Sequence, residues 1–221
     1  MTKTVPTYLA AGIPRSGSTW MFNALRLFLN KKYDRVYTAW VAEIDEVRAA
    51  EADAVLIKLH DPAPALAATA SRIFTSHRDL RDIVVSLRDM GWANDQAKMI
   101  EMATKIRGFH DFWSGRAALD IRYADIIATP EIVLSDIAKA CEFDFTAEEL
   151  ATIGRELATL DGDPELRAVH DAMTLMHAKH RFDGRPNRFV DALARGTADE
   201  IVALHGDWLD RMGYDLTLQP A

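Results

Sequence analysis

The stretch Tyr8-Leu-Ala-Ala-Gly-Ile-Pro-Arg-Ser-Gly-Ser-Thr-Trp20 constrains this chain more than any other. A short apolar run, Tyr8 to Ala11, reads as a buried strand. It turns through Gly12 and Gly17 and enters a helical pattern at Ser18 or Thr19 that carries Trp20, Met21, Leu25 and Leu29. Strand, glycine loop and helix in that order present backbone N–H groups and a helix N-terminus to an anion. The spacing Gly12-x4-Gly17-Ser18-Thr19 is one residue away from the triphosphate loop G-x4-G-K-[ST]. Ser18 stands where that loop has lysine, so its only charge is Arg15. A ligand-free tight turn is the bland alternative, but Pro14, Arg15, Ser16, Ser18 and Thr19 together are a poor choice for mere structure.

The rest of the chain repeats the strand-to-helix rhythm. A helix is expected from Ser18 to Asn30, a short strand over Arg35–Thr38 and an alanine-rich surface helix from Ala39 to Glu51. Ala54-Val-Leu-Ile-Lys58 is a second buried strand. Its carboxyl end delivers Lys58 and His60, which two-residue spacing on an extended chain can place on one side. Ligands of open α/β sheets bind beyond that end. Lys58 and His60 therefore read as a catalytic pair, or as a solubilising lysine and a capping or core histidine. A short helix over Pro62–Ala70 precedes a strand at Arg72–Thr75 and a helix from Asp79 to Met90 with Ile83, Val84 and Leu87 on its apolar face. Arg78 sits at that helix's N-terminal junction, where the dipole prefers anions, and an anion held between the two removes the conflict. Ser86 follows two turns on. Arg81 and Arg88 read as solvent-facing.

Gly91 to Trp113 is helical after an irregular start, with Ile100, Ala103, Ile106, Phe109, His110 and Trp113 as core or as the wall of a pocket. A last strand, Ala118–Tyr123, exits at Ala124-Asp125. Helices begin at Thr129-Pro-Glu, at Thr146-Ala-Glu-Glu149 and at Thr197-Ala-Asp-Glu200, the last two as capping boxes. Asp161–Pro164 is a linker, Arg181–Phe189 a basic loop that is either a solvated turn or a phosphate site, and His170, His177 and His180 lack the partner set of a metal centre. Five strands alternating with helices indicate an α/β fold, a P-loop-like three-layer domain with a mainly parallel central sheet flanked by helices. One domain is expected over residues 1–221, with a strand, loop and helix unit at 8–30 and a variable lid region at 165–197.

Charge narrows the function. Lys and Arg total 26 against 33 Asp and Glu, a net charge of -7, so nucleic acid is not an expected partner and an anion site must be a local cluster. The single cysteine, Cys141, excludes a disulfide framework and reads as a core thiol. No run approaches the length of a membrane span, and Met1 leads directly into the first strand, so a cytoplasmic protein is expected.

Pro14-Arg-Ser-Gly-Ser-Thr-Trp20 resembles the 5′-phosphosulfate loop of sulfotransferases that use 3′-phosphoadenosine 5′-phosphosulfate (PAPS). Arg78-Asp-Leu-Arg-Asp-Ile-Val-Val-Ser86 resembles their 3′-phosphate motif, Lys58-Leu-His60 their Lys-Thr-His, and Arg122-Tyr-Ala-Asp125 their Arg-Tyr-Glu-Asp step. The closing Trp208-Leu-x-x-Met-Gly-Tyr214 is similar to the last helix of bacterial members. Three departures stand out: Leu80 replaces a proline, Asp61 follows His60 where an apolar residue is usual, and the late Arg-Lys-Gly-x-x-Gly-Asp-Trp loop is not preserved.

The resemblance implies sulfonate transfer from PAPS to an acceptor hydroxyl or amine, leaving 3′-phosphoadenosine 5′-phosphate (PAP), without a metal. It implies His60 as general base, with Lys58 and Arg15 stabilising charge on the transferred group. Ser16, Gly17, Ser18 and Thr19 would hold the 5′-phosphate and Arg78 and Ser86 the 3′-phosphate, joined by Arg181 or Arg185. Trp20 or Trp92 would lie near the adenine. The acceptor is a small-molecule, carbohydrate or lipid alcohol, and the sequence sets no oligomeric state. A P-loop kinase or nucleotidase and an inactive nucleotide-binding relative are the alternatives.

Overall fold

The computed structural model describes residues 5–160, 171, 173–176 and 184–220. In chain order its elements begin β1 (Thr7–Ala10), α1 (Ser18–Lys32), β2 (Val36–Trp40), α2 (Glu46–Glu51), β3 (Ala54–Lys58), α3 (Pro64–Thr69) and β4 (Arg72–His77). They continue as α4 (Leu80–Asp89), α5 (Gln96–Ser114), β5 (Leu119–Arg122), α6 (Tyr123–Ala128), α7 (Pro130–Ala140), α8 (Ala147–Thr159), α9 (Phe189–Ala192) and α10 (Arg195–Arg211). The five strands form one sheet in the order β2-β3-β1-β4-β5, every pairing parallel.

Side-chain alternation along the central strands divides the core. Tyr8 and Ala10 of β1, with Ala54 and Leu56 of β3, face α1, α7 and α8; Leu9, Ala11, Val55 and Ile57 face the opposite layer and Trp113 of α5. Strands buried on both faces read as unbroken apolar runs, which is why β1 and β3 stand out in the sequence. Phe22, Leu25, Phe28 and Leu29 seat α1 on the sheet, all fully buried, each contributing about 1.5–3 kcal/mol. A third cluster joins α4, α5, α9 and α10. Cys141 lies in the core as expected, its thiol pushed up to about 12 by burial. Among the described residues, no helix is long and apolar enough to cross a membrane.

The Thr146 box forms as expected, the Thr146 hydroxyl accepting from the Glu149 N–H at 3.2 Å while Glu149 accepts from the Thr146 N–H at 2.8 Å. The Thr197 box does not form. The helix starts earlier, at Arg195, and Thr197 is buried inside its first turn. The helix expected over Ala39–Glu51 is also corrected: pairing with β3 draws Ala39 and Trp40 into β2, a 3₁₀ turn follows at Val41–Glu43, and only Glu46–Glu51 is α-helical. The exit at Ala124-Asp125 is a helical turn of its own, α6.

Arg81 overturns the solvent-facing assignment. Its side chain is fully buried (0% exposed), pairs with Asp79 at 2.7 Å, donates to the Leu218 and Asp215 carbonyls at 3.2 and 2.9 Å, and stacks 4.0 Å from the Phe189 ring. Arg88 is partly covered, donating to the Ala192 carbonyl at 2.5 Å. The C-terminal segment is held from its other side too. His77 bonds the Tyr214 hydroxyl at 2.7 Å, and His110 accepts from the Trp208 indole at 3.1 Å while donating to Asp120 at 2.8 Å. Replacing one partner of a buried ion pair strands the other. Arg81→Ala should therefore cost about 3–5 kcal/mol in urea unfolding, against a negligible loss if the residue were exposed.

Candidate functional site

The sheet order places β1 between β3 and β4, and the carboxyl ends of those three strands meet at one cavity of about 740 Å³. That is the switch point at which parallel α/β sheets bind ligands. The loop after β1 forms its floor, and its two glycines are there for space and conformation. A Cβ on Gly12 would lie 2.2 Å from the Ser76 hydroxyl and 2.9 Å from Ser18 Cβ. Gly17 has φ of 82° and a Cβ there would meet Ile126 at 2.7 Å. Gly17 caps α1 without any side-chain bond, and the first turn carries no acid. The leading N–H groups of α1 thus bring the helix's positive end to the cavity, lined by Gly17, Ser18 and Thr19. Ser16 does not line it. Its hydroxyl turns inward, donating to the Ile13 carbonyl at 2.6 Å and bonding Ser76 at 2.6 Å, so its side chain shapes the loop.

Three basic side chains and a histidine converge here. Arg15, itself at φ of 64°, donates from Nε to the Ser86 hydroxyl at 2.8 Å. Burial, and then the charge of Arg78, lower its pKa. Lys58 continues the face of β3 that buries Ala54 and Leu56, so its stem is enclosed (4% exposed) and its ammonium donates to the Thr19 hydroxyl. Burial and the neighbouring charge of Arg15 push it down to about 7. The loop has no lysine of its own, and one arriving from β3 reaches the first turn of α1 at Thr19. Two residues on, His60 Nδ1 meets the Gly12 carbonyl at 2.5 Å. A carbonyl only accepts, so Nδ1 carries the proton and Nε2 is the basic nitrogen of the neutral ring. The Trp113 indole donates to the His60 backbone carbonyl at 2.9 Å, anchoring its main chain, and Trp40 packs edge-on against the imidazole at 5.1 Å.

Arg78 lies across the cavity, its guanidinium 4.3 Å from the Tyr123 ring. The anion that the helix junction calls for is supplied partly from within the chain: Arg78 pairs with Asp82, one turn into α4, at 3.2 Å. Arg185 also lines the cavity, but its guanidinium reaches out to Asp191 at 2.5 Å, while its backbone carbonyl accepts from Arg78 at 3.1 Å. Arg181, His170, His177 and His180 lie outside the described residues. No carboxylate lines the cavity among the described residues, while the charge of Arg78 depresses Arg15 and that of Arg15 depresses Lys58. Such a cluster favours a bound polyanion.

The apolar part of the wall comes from Trp20, Trp40, Ile126, Ile127, Leu157, Leu160, Leu175 and Met176, with Trp92 at the rim, 55% exposed. The stretch after Trp92 goes elsewhere: Ala103, Ile106, His110 and Trp113 are core. Leu157, Leu160, Leu175 and Met176 were not visible as a wall in the sequence. Helix α8 reads there as an ordinary amphipathic helix, and only the tertiary fold brings the 173–176 turn over it. Asp82 was missed as well, although its place one turn after Arg78 was a signal.

The chain is similar in fold to solved structures of a sulfotransferase and of a retinol dehydratase. Mouse sulfotransferase SULT7A1 complexed with PAP superposes with a TM-score of 0.70 at 14% sequence identity, covering 96% of this chain and 86% of that one. Retinol dehydratase in complex with androsterone and PAP gives 0.62 at 14% identity, covering 96% and 82%. Its complex with retinol and PAP gives 0.61 at 13%, covering 97% and 84%. At these identities the likeness is one of fold. No family model and no curated protein sequence matches the chain.

Lys58 links the site to pH and stability. Its pKa falls from 10.5 unfolded to about 7 folded, so between those values the unfolded chain holds more protons and stability rises with pH; the full cost of the buried charge is present below pH 7. Lys58→Met should stabilise the protein by about 1–3 kcal/mol near pH 7, with the gain shrinking toward pH 10. A bound anion raises the lysine's pKa. Affinity for sulfate, whose own charge is constant in this range, should therefore weaken above pH 7 by up to about tenfold per unit in calorimetry, and Lys58→Met should flatten that slope.

Proposed function

We propose that this protein is a PAPS-dependent sulfotransferase, moving a sulfonate group to an acceptor hydroxyl or amine. The observation that carries this reading is the meeting of Arg15, Lys58, His60, Arg78 and Ser86 around one cavity that no carboxylate lines among the described residues. The fold shared with a PAP-bound sulfotransferase and a PAP-bound retinol dehydratase supports it. PAPS, when bound, supplies an activated sulfonate on a phosphate leaving group.

The residues present fit such a donor. The N–H groups at the start of α1, with the Ser18 and Thr19 hydroxyls, hold the 5′-phosphate end. Arg78 and Ser86 take the 3′-phosphate and so separate PAPS from ordinary adenine nucleotides. Tyr123 and Trp20 flank the space between, where a purine ring packs on an aromatic wall. His60 accepts the acceptor's proton at Nε2, because Nδ1 is committed to Gly12. Lys58, charged once an anion raises its pKa, and Arg15 stabilise the negative charge that grows on the leaving oxygen. Leu157, Leu160, Leu175 and Met176 exclude water around these charges.

A magnesium-dependent kinase is the weaker reading. In the triphosphate loop the hydroxyl at the Thr19 position holds Mg²⁺; here that hydroxyl receives the Lys58 ammonium, and a cation on it disfavours a second.

Two variants test the assignment. With radiolabelled PAPS and an acceptor panel, His60→Ala should lose about 10²–10⁴-fold in transfer while binding PAP normally; undiminished transfer would remove the base. Arg78→Ala should cut the preference for PAP over adenosine 5′-monophosphate (AMP) by about 10-fold or more, since the two ligands differ only in the 3′-phosphate. An unchanged ratio would remove that role, and ATP turnover with magnesium would favour the kinase.

A further inference from the structure

Asp82 is a buried charge beside Arg78 that the proposed chemistry does not use. It is 2% exposed, and burial raises its carboxyl pKa while Arg78 opposes that shift. One oxygen, Oδ2, accepts from Arg78 Nε at 3.3 Å, from Arg78 Nη2 at 3.2 Å and from the Asn187 N–H at 3.0 Å. The other, Oδ1, accepts from the Phe189 N–H at 2.9 Å. Asn187 has φ of 60°, and that left-handed turn aims the two N–H groups at a single carboxylate. The loop is tied to the same arginine a second time, because Arg78 Nη2 donates to the Arg185 carbonyl at 3.1 Å. Tyr123, under the Arg78 guanidinium, donates its hydroxyl to the Gly184 carbonyl at 2.7 Å.

These bonds close a ring through α4, Arg78 and residues 184–189. A carboxylate beside an anion subsite weakens anion binding by repulsion, so its presence calls for a task that no neutral side chain performs. Four N–H donors on one group are such a task. A carboxylate offers about four acceptor positions, whereas an asparagine has one acceptor oxygen and two donors of its own.

We propose that Asp82 is a positioning residue that locks Arg78 and the 184–189 loop into one unit, so that a 3′-phosphate on Arg78 and a seated loop favour each other. This rests on the reading of Arg78 as the 3′-phosphate residue. The rival is a fold-holding ion pair, which affects every ligand alike.

The test uses the full chain with PAP and AMP as probes. In wild type, PAP should slow amide hydrogen exchange in a peptide spanning residues 184–192, and AMP should not, because only PAP loads Arg78. In Asp82→Asn the affinity for PAP should fall about 10–100-fold while that for AMP changes less than about threefold. Exchange in the peptide should be faster and no longer respond to PAP. Equal losses for both ligands would leave Asp82 as a fold-holding pair and overturn the proposal. Should Asp82→Asn fail to fold, the wild-type comparison decides by itself: a PAP-insensitive peptide in a protein that prefers PAP overturns the positioning role alone. A wild type that binds PAP and AMP equally overturns the reading of Arg78, and the proposal with it.

Discussion

Mutual repulsion among Arg15, Lys58 and Arg78 is the constraint around which this molecule is built. Burial, and then a neighbouring guanidinium, depresses both Arg15 and Lys58, while Arg78 is held by its pair with Asp82. What holds them is the hydrophobic sheet beneath. Lys58 cannot withdraw because its backbone is the last residue of a strand paired on both sides, to Trp40 in β2 and Ala10 in β1. Arg78 directly follows β4, whose next-to-last side chain, Ser76, is packed under Gly12. The energy that burial of Leu9, Leu56 and Phe74 contributes is set against electrostatic strain at the strand ends. Such strain is relieved by an anion, which makes affinity and instability two sides of one arrangement.

Topology decides which residues share that strain. With β1 central, the chain first crosses to the edge strand β2 and returns inward to β3, then crosses to β4 on the other side of β1 and builds outward to β5. Residues as distant in sequence as Arg15, Lys58 and Arg78 thus become neighbours without any long loop. Their relative placement is set by parallel register, as where Ala10 lies opposite both Lys58 and Phe74. The same geometry explains why a lysine from β3 can reach the first turn of α1. The β3 end and the first turn of α1 face each other across Thr19.

Legibility followed the range of the interaction. Local signals read well: β3 has the expected bounds, α7 starts at its proline, and the Thr146 box closes. Lys58 and His60 both line the cavity, as their two-residue spacing at the end of β3 allows. Failures came where a distant partner overrode a local preference. Thr197 has the pattern of a cap, but packing of the α10 start on the core takes it into the helix. Arg81 has the periodicity of a surface residue, and only the returning C-terminal segment buries it. Asp82 was legible as a neighbour of Arg78 and illegible as an acceptor for Asn187 and Phe189, more than a hundred positions away along the chain.

Backbone strain follows the same boundary. Among the described residues other than glycine, Arg15, Glu142, Leu175 and Asn187 have positive φ, and the first and third line the cavity while Asn187 adjoins it through Asp82. Each costs on the order of 1–3 kcal/mol, least for Asn187, whose short polar side chain tolerates the left-handed region. Leu175 is nonetheless buried, and specific bonds hold the turn around it. Asp171 accepts from the N–H groups of Met173 and Thr174 at 3.1 and 2.6 Å, and the Asn23 amide donates to the Thr174 carbonyl at 2.9 Å. Asn23 also donates to the Thr19 carbonyl at 2.9 Å and accepts from Arg26 at 3.0 Å, so one side chain on α1 fastens the apolar wall to the turn that carries the anion-facing N–H groups. An apolar wall needs no such precision to keep water out. Fastening it to the first turn of α1 sets the place of the apolar wall relative to Lys58 and His60.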